Sequence, residues 1–251
     1  MEENFMRNYE HELKARVEFI QNLLKESGAK GIIFGNSGGK DSALVSILCK
    51  KACDNTVGIQ MPCHSKRNYG EDLDDALEVA RMFDIETRTV DLTDVRNSVL
   101  ASLEGISELN NMALANIAPR LRMTTLYTIA AAEGRLVAGT GNRSETYMGY
   151  FTKHGDGASD FNPIYDLTVT EIYEFLRYLG APASIIEKAP SGGLFDGQTD
   201  EAEMGITYAS IDKFLLEGET TKEDMEIINR YHSRSEHKRR MPAVYADPYK
   251  K

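Results

Sequence analysis

Tryptophan is absent from this 251-residue chain and cysteine nearly so. The three cysteines, Cys49, Cys53 and Cys63, form no Cys-x-x-Cys pair. They argue against a disulfide framework and for reduced thiols in a cytoplasmic protein. Cys49 and Cys53 lie four residues apart, on one face of a helix, and read as small buried hydrophobes. No apolar run approaches the roughly 20 residues of a membrane span, and no basic-then-apolar leader opens the chain, so no membrane partner is expected. Positive charge is short: 29 Lys and Arg stand against 39 Asp and Glu, for a net charge of −10. That balance speaks against a nucleic-acid partner. Repeats and low-complexity tracts are missing as well. The length, with 41% hydrophobic and 27% charged residues, suits a single α/β domain over residues 1–251, with room for a helical appendage.

What is present centres on Gly31 to Cys53, GIIFGNSGGKDSALVSILCKKAC. Ile32 to Phe34 suit a buried strand, and Gly35, Asn36, Ser37, Gly38 and Gly39 form a loop with little bulk. Ala43, Leu44, Ile47 and Leu48 then recur at helical spacing, so a helix opens at Asp41 or Ser42. A strand, a glycine turn and a helix N-terminus together bind anions, because backbone N–H groups lie bare there and the helix dipole favours phosphate. The loop is no Walker A motif: Phe34 stands six before Lys40, and Asp41 follows it. An acid inside a phosphate cradle needs a cation between carboxylate and phosphate, so Asp41 reads as a Mg²⁺ ligand.

Periodicity extends the pattern. Helices are predicted over Glu10–Ser27, Asp72–Phe83, Asp91–Leu103 and Ala113–Glu133, the last with Pro119 in its first turn or at a kink. Strands are predicted over Thr56–Met61, Ile85–Val90 and Leu136–Ala138, with Ile164–Tyr165 as a short fifth. The alternation predicts an α/β fold with a doubly wound, mostly parallel sheet and helices on both faces. Further helices follow over Thr168–Leu179, Ser184–Lys188, Tyr208–Leu216 and Glu223–Ser235. Phe151–Asn162 reads as a mobile glycine-rich loop, and Ser191–Asp200 as a lid beside the site. Both the first and the fourth strand end in polar, glycine-bearing loops, where ligands of parallel sheets lie.

The segments Ser37-Gly38-Gly39-Lys40-Asp41-Ser42, NIAPRLRM from Asn116, GTGNRSE from Gly139, GYFTKHGDGASDFNPI from Gly149, PSGGLFDGQTDEAEMG from Pro190 and SEHKRRMP from Ser235 resemble those of ammonia-dependent NAD⁺ synthetases. These belong to the N-type ATP pyrophosphatases, with an adenine nucleotide alpha hydrolase-like fold. The resemblance implies a ligase that adenylates the nicotinate carboxylate of deamido-NAD⁺ with ATP and Mg²⁺; ammonia then displaces AMP. It implies that residues 35–42 (Gly35, Asn36, Ser37, Gly38, Gly39, Lys40, Asp41, Ser42), Thr140 and Ser191 hold ATP, that Asp41 and Glu145 hold Mg²⁺, and that Asn116, Arg120, Lys153, Asp160, His237 and Lys238 hold deamido-NAD⁺. Asp41, Glu145 and Lys153 are the implied catalytic set. It further implies a homodimer in which Arg120, Asp160 and the His237–Lys238 pair come from the other subunit. No glutaminase domain is expected, since all three cysteines fall within the synthetase region. Two departures stand out: Val169 replaces an ATP-binding Lys, and Gln60 an Arg, whose contact could pass to Lys66 or Arg67, as Lys40 could supply the charge missing at Val169. Met112 and Leu136 read as packing residues or as walls of the nicotinate pocket.

Read without the resemblance, Arg120 and Arg122 fit a solvated helix face, Glu145 a helix-start acid, and His237 to Arg240 a basic tail. Two other functions remain open: a tRNA-modifying ATP pyrophosphatase of the thiolating or lysidine-forming type, and a non-catalytic nucleotide-binding regulator.

Overall fold

The structure is a computed structural model and describes residues 7–64, 70–188 and 199–245. Helix α1 (Tyr9–Ser27) starts where the Asn8 side chain accepts the His11 N–H at 3.1 Å, and ends on Gly28 at φ 68°. Strand β1 (Gly31–Gly35), helix α2 (Lys40–Ala52), strand β2 (Thr56–Gln60), helix α3 (Glu71–Met82) and strand β3 (Glu86–Thr89) follow. Then come α4 (Thr93–Leu103), α5 (Asn111–Ala115), α6 (Ile117–Glu133) and β4 (Arg135–Ala138).

The four strands are parallel in the order β3-β2-β1-β4. Successive residues of β1 face opposite ways, as strand geometry requires. Ile32 and Phe34 pack with α1, α2 and a later helix, α8 (Val169–Leu179), whereas Ile33 packs with Val57, Ile59, Val137 and the apolar side of α6. Both faces are therefore covered, as a parallel sheet demands. A third apolar layer lies beyond β4. It is built on α7 (Arg143–Met148), α8, α10 (Asp200–Met204), α11 (Tyr208–Glu217) and α12 (Lys222–Arg234). The short helices α9 (Ala183–Ile186) and α13 (Glu236–Arg239) complete the element order.

Three expectations change. The long helix predicted from Ala113 is divided at Asn116, which ends α5 and starts α6; Pro119 is the third residue of α6, where its missing N–H costs nothing. Ile164–Tyr165 is not a strand. Those residues lie in a turn, Ile164 is fully buried, and the edge of β4 is met instead by a single parallel bridge from Ala138 to Phe161. The glycine-rich run after Phe151 is pinned rather than loose: the Thr152 N–H bonds the Asp156 carboxylate at 3.0 Å, and Asn162 donates to the Gly141 carbonyl at 2.8 Å. Of the predicted lid, residues 191–198 lie outside the described residues.

Candidate active site

β1 and β4 are neighbours whose connections leave in opposite directions, so a crevice opens beyond their C-terminal ends. A cavity of about 800 Å³ occupies that crevice. One wall is the loop after β1. The Asn36 N–H bonds the Ile59 carbonyl at 2.9 Å, and the Ser37 and Ser42 hydroxyls meet at 3.1 Å. Gly38 has φ +73°, and a Cβ on it would stand 2.1 Å from the Asp72 carbonyl oxygen, so no other residue fits there. α2 opens on Gly39 with no side-chain cap, which leaves its first N–H groups directed at the cavity end of the loop.

Asp41, in the first turn of α2, does not cap the helix. Its Oδ2 takes the Lys40 ammonium at 2.7 Å and its Oδ1 takes the Asn142 amide at 3.0 Å. Asn142 is fully buried and opens α7 with a capping box: its Oδ1 accepts the Glu145 N–H at 2.8 Å, and a Glu145 carboxylate oxygen accepts the Asn142 N–H at 3.2 Å. One amide side chain therefore joins Asp41 to the residue that carries the second carboxylate. Burial, reinforced by the charge of Asp41, pushes the Glu145 carboxyl well above the usual carboxylate range, although Lys40 opposes the shift. Such a pair is short of positive charge. Its hard oxygen donors suit Mg²⁺, which takes a few carboxylates and completes its shell with phosphate and water. Among the described residues no group of three or more His, Cys, Asp or Glu converges to form a full protein cage.

Lys40 is buried, and its ammonium also lies 5.6 Å from the centre of the Tyr208 ring on α11. Burial alone would lower its pKa, but Asp41 and Glu145 raise it, so the side chain is firmly cationic. Lys188 lines the same cavity and is tied to Asp72 at 2.8 Å and Asp75 at 2.5 Å on α3.

The cavity wall gathers Gly35, Asn36, Ser37, Gly39, Lys40, Asp41, Ser42, Asn116, Thr140, Glu145 and Lys238 from the residues expected at the site. Asn116 accepts the Thr152 hydroxyl at 2.6 Å. Arg120, Lys153, Asp160 and His237 stand outside the wall. Arg120 is exposed on α6, and Lys153 donates to the His237 carbonyl at 2.8 Å. Asp160 extends the edge of β4, accepting the Val137 N–H at 2.8 Å and the Tyr127 hydroxyl at 3.3 Å. Lys238, expected from another subunit, lies in the wall of its own chain, where it donates to the Gly149 and Phe151 carbonyls at 2.8 and 2.6 Å. Burial lowers its pKa. Ser191, Lys66 and Arg67 lie outside the described residues.

Gln60 makes no substitute for an arginine at the nucleotide. Its amide donates to the Leu73 carbonyl at 3.2 Å and accepts the Thr89 hydroxyl at 3.1 Å, which holds α3 and β3 together. Val169 is buried as the first residue of α8. Met112 lines the cavity; Leu136 packs against the core. Two residues at the site are not singled out by the sequence, one buried behind the wall and one in it. Asn142 is one. Arg122 is the other: its Nε donates to the Met61 carbonyl at 3.1 Å, and burial lowers its pKa. Two residues on a helix differ by about 200° around its axis, so Arg120 and Arg122 cannot share a face; it is Arg122 that turns inward.

A model of the NAD synthase family matches residues 12–248. The chain is 47% identical over 240 residues to the NH(3)-dependent NAD(+) synthetase of Carboxydothermus hydrogenoformans, covering 94% of this chain and 98% of that one. Its fold matches the NMN synthetase from Francisella tularensis with a TM-score of 0.90 at 37% identity, over 95% of this chain and 99% of that one. It matches the NH3-dependent NAD synthetase from Campylobacter jejuni subsp. jejuni with a TM-score of 0.78 at 30% identity, over 96% and 100% of the two chains. A cavity at the switch point, a glycine-bearing loop at a helix start and two linked carboxylates are thus found in a chain that belongs to the NAD synthase family, in its ammonia-dependent group.

Proposed function

We propose that the cavity between the β1 and β4 loops carries out the family's reaction in this chain with the residues placed there. The activity is formation of NAD⁺ from deamido-NAD⁺, ATP and ammonia through an adenylated nicotinate carboxylate. In the first step a carboxylate oxygen of the nicotinate ring attacks the α-phosphorus of ATP, and pyrophosphate leaves. In the second, ammonia attacks the acyl carbon, the C–O bond to AMP breaks, and the amide nitrogen loses a proton. Both steps need anions brought together, so the protein's main contribution is positioning and charge shielding.

The observation that carries this reading is the Asp41–Asn142–Glu145 connection, which brings a carboxylate from each loop to one end of the cavity. The backbone amides after Gly39 receive the phosphates. Asp41 and Glu145 hold Mg²⁺, which shields the phosphate charge when bound. Thr140 and Ser191 complete the ATP site. Asn116, Lys238 and Arg122 face the acid substrate, with Arg122 added by the structure. Arg120, Asp160 and His237 lie outside the wall of their own cavity, which supports their serving the site of a second copy in a C₂ homodimer. Residues 1–251 act as one synthetase domain that takes ammonia directly, in the cytoplasm; no helix among the described residues is long and apolar enough to cross a membrane.

The test is pyrophosphate release from ATP by the purified chain with deamido-NAD⁺, Mg²⁺ and ammonium. Turnover requiring all four supports the reading. Release that needs tRNA instead, or none at all, would favour a tRNA-modifying enzyme or a regulator.

One observation favours a second substrate. The chain superimposes on a protein named for NMN synthesis at a TM-score of 0.90, against 0.78 for a named NAD synthetase. The corresponding acid is nicotinate mononucleotide, which presents the same carboxylate without the adenylate half. Comparing kcat/KM for the two acids decides between them.

A further inference from the structure

A lysine in a phosphate loop is expected to point at phosphate. In this chain Lys40 does not. Its ammonium is folded back onto the carboxylate of the next residue, 2.7 Å from Asp41 Oδ2, with 6% of the side chain exposed. The Tyr208 ring, from a helix more than 160 residues further along, sits 5.6 Å from the same ammonium. Asp41 Oδ1 is occupied by Asn142 at 3.0 Å. Both oxygens of the carboxylate are therefore engaged before any ligand arrives, and one of the two engagements carries a full positive charge.

We propose that Lys40 is the resident counter-cation of the Asp41–Glu145 pair in the metal-free chain, and that it must release Asp41 before a divalent cation can bind there. The inference rests on the reading of that pair as the metal site. Its physical basis is charge. The Lys40 ammonium matches the Asp41 carboxylate charge for charge at 2.7 Å. A divalent ion added beside an unmoved ammonium would leave a net positive charge, with two cations competing for one carboxylate oxygen a few ångströms apart. Lys40 lines the cavity, so the side chain's way out leads to the space where the ATP phosphates come to rest. There a displaced ammonium regains an anionic partner. Metal alone then binds at the expense of an ion pair, whereas metal with nucleotide exchanges one ion pair for another. The lysine makes metal binding depend on ATP and keeps the buried carboxylates paired between turnovers.

Mn²⁺ serves as the probe, with free Mn²⁺ read from its electron paramagnetic resonance signal, so that no catalytic rate enters. The wild-type chain is expected to bind Mn²⁺ about tenfold or more tightly in the presence of a non-hydrolysable ATP analogue than without it. Lys40→Gln removes the competing charge, so Mn²⁺ alone should bind about tenfold more tightly than to wild type, and the gain from nucleotide should shrink. Lys40→Arg keeps the charge and should retain the wild-type pattern. Equal Mn²⁺ affinity in wild type and Lys40→Gln, with binding lost in Asp41→Asn, would overturn this inference and leave the metal site standing. Binding that survives Asp41→Asn would overturn both. Should Lys40→Gln fail to fold, the wild-type comparison alone decides: affinity unchanged by the analogue refutes the proposal.

Discussion

The inner end of the cavity and its outer rim are built on different principles. At the inner end each charged group is held by neighbours in its own chain: Asp41 by Lys40 and Asn142, and Glu145 by the start of α7. At the rim, Arg120 and His237 are exposed, and Asp160 is spent on the edge of β4. The charged groups of the inner end are gathered by one chain, whereas Arg120, His237 and Asp160 lie outside the cavity wall. Groups that must stabilise developing charge gain from pre-organisation, because no reorganisation is then needed at the moment of reaction. Groups that only grip a substrate can be supplied at an interface. The following experiments test that division, from the strongest effect to the weakest.

The inner pair should matter most. Asp41→Asn and Glu145→Gln are each expected to lower adenylation by about 10³-fold, measured as pyrophosphate release. Glu145→Gln should hardly lower the melting temperature, since it keeps an acceptor for the Asn142 N–H, whereas Asp41→Asn should lower it more, because the buried Lys40 ammonium loses its partner. A large drop in stability with near-normal turnover would reverse the assignment.

The rim should reveal itself by complementation. Arg120→Ala is expected to cost about 10–100-fold in turnover, with KM for the acid substrate rising. Alone, Arg120→Ala chains should keep only that small remainder of activity and Glu145→Ala chains almost none. Mixed and re-associated, they should regain roughly a quarter of wild-type activity, because half the dimers are mixed and each of those has one intact site. No recovery would place Arg120 outside any shared site. Sedimentation of the wild-type chain as an active monomer would do the same.

Asn142 sits between the two classes, touching Asp41 and Glu145 without being a metal ligand itself. Asn142→Ala should raise the Mg²⁺ needed for half activity about tenfold, a second-layer effect of the size such partners show. It should also destabilise α7 by about 1 kcal/mol through loss of the cap. Asn142→Ser restores the cap without the amide, so it should recover stability but not the Mg²⁺ dependence. Recovery of both would reduce Asn142 to a helix cap.

These residues also show what could be read from the sequence. The phosphate loop was legible because its parts are contiguous: the strand, the glycines and the helix start lie within a dozen residues, and their local chemistry dictates the shape. The parallel sheet followed from alternating periodicities. Asn142 was hidden because its partner lies 101 residues away, and a capping box explains an Asn before a helix fully well by itself. Arg122 was passed over for Arg120, since a helix face cannot be chosen by spacing when both candidates are arginine. Lys40 reads from the sequence as part of the ATP loop; that the Tyr208 ring and the Asp41 carboxylate hold it is a tertiary fact. Ile164 looked like strand because it is apolar; it is buried under α1 and α8 instead, and a packed turn needs apolar residues as much as a strand does.

The smallest effect lies farthest from the cavity and concerns stability alone. Arg16 on α1 grips Asp166, in the turn before α8, with two bonds of 2.7 and 2.9 Å, and donates to the Pro163 carbonyl at 2.5 Å; Arg7 adds a bond to Asp166 at 3.0 Å. The Arg16 Nε is buried with no partner among the described residues, so the guanidinium depends on its other contacts. Burial pushes the Asp166 carboxyl up, but the hydrogen bonds and charge of Arg16, with help from Arg7, outweigh it and hold the carboxyl below the usual range. A carboxyl lowered on folding contributes stability above its unfolded pKa of about 3.9 and loses it as pH falls through the lower folded value. Asp166→Asn keeps the shape and one acceptor while removing the charge. It should cost about 1–3 kcal/mol at pH 7, the range for a hydrogen bond to a charged group, and leave adenylation unchanged. The gap between the two melting curves should begin to narrow as pH drops below about 4 and close only once pH is below the lower folded value, where both side chains are neutral. A gap that stays constant from pH 7 to pH 2 would mean that the carboxylate's charge contributes nothing, and that packing and the Pro163 contact alone hold α1 in place.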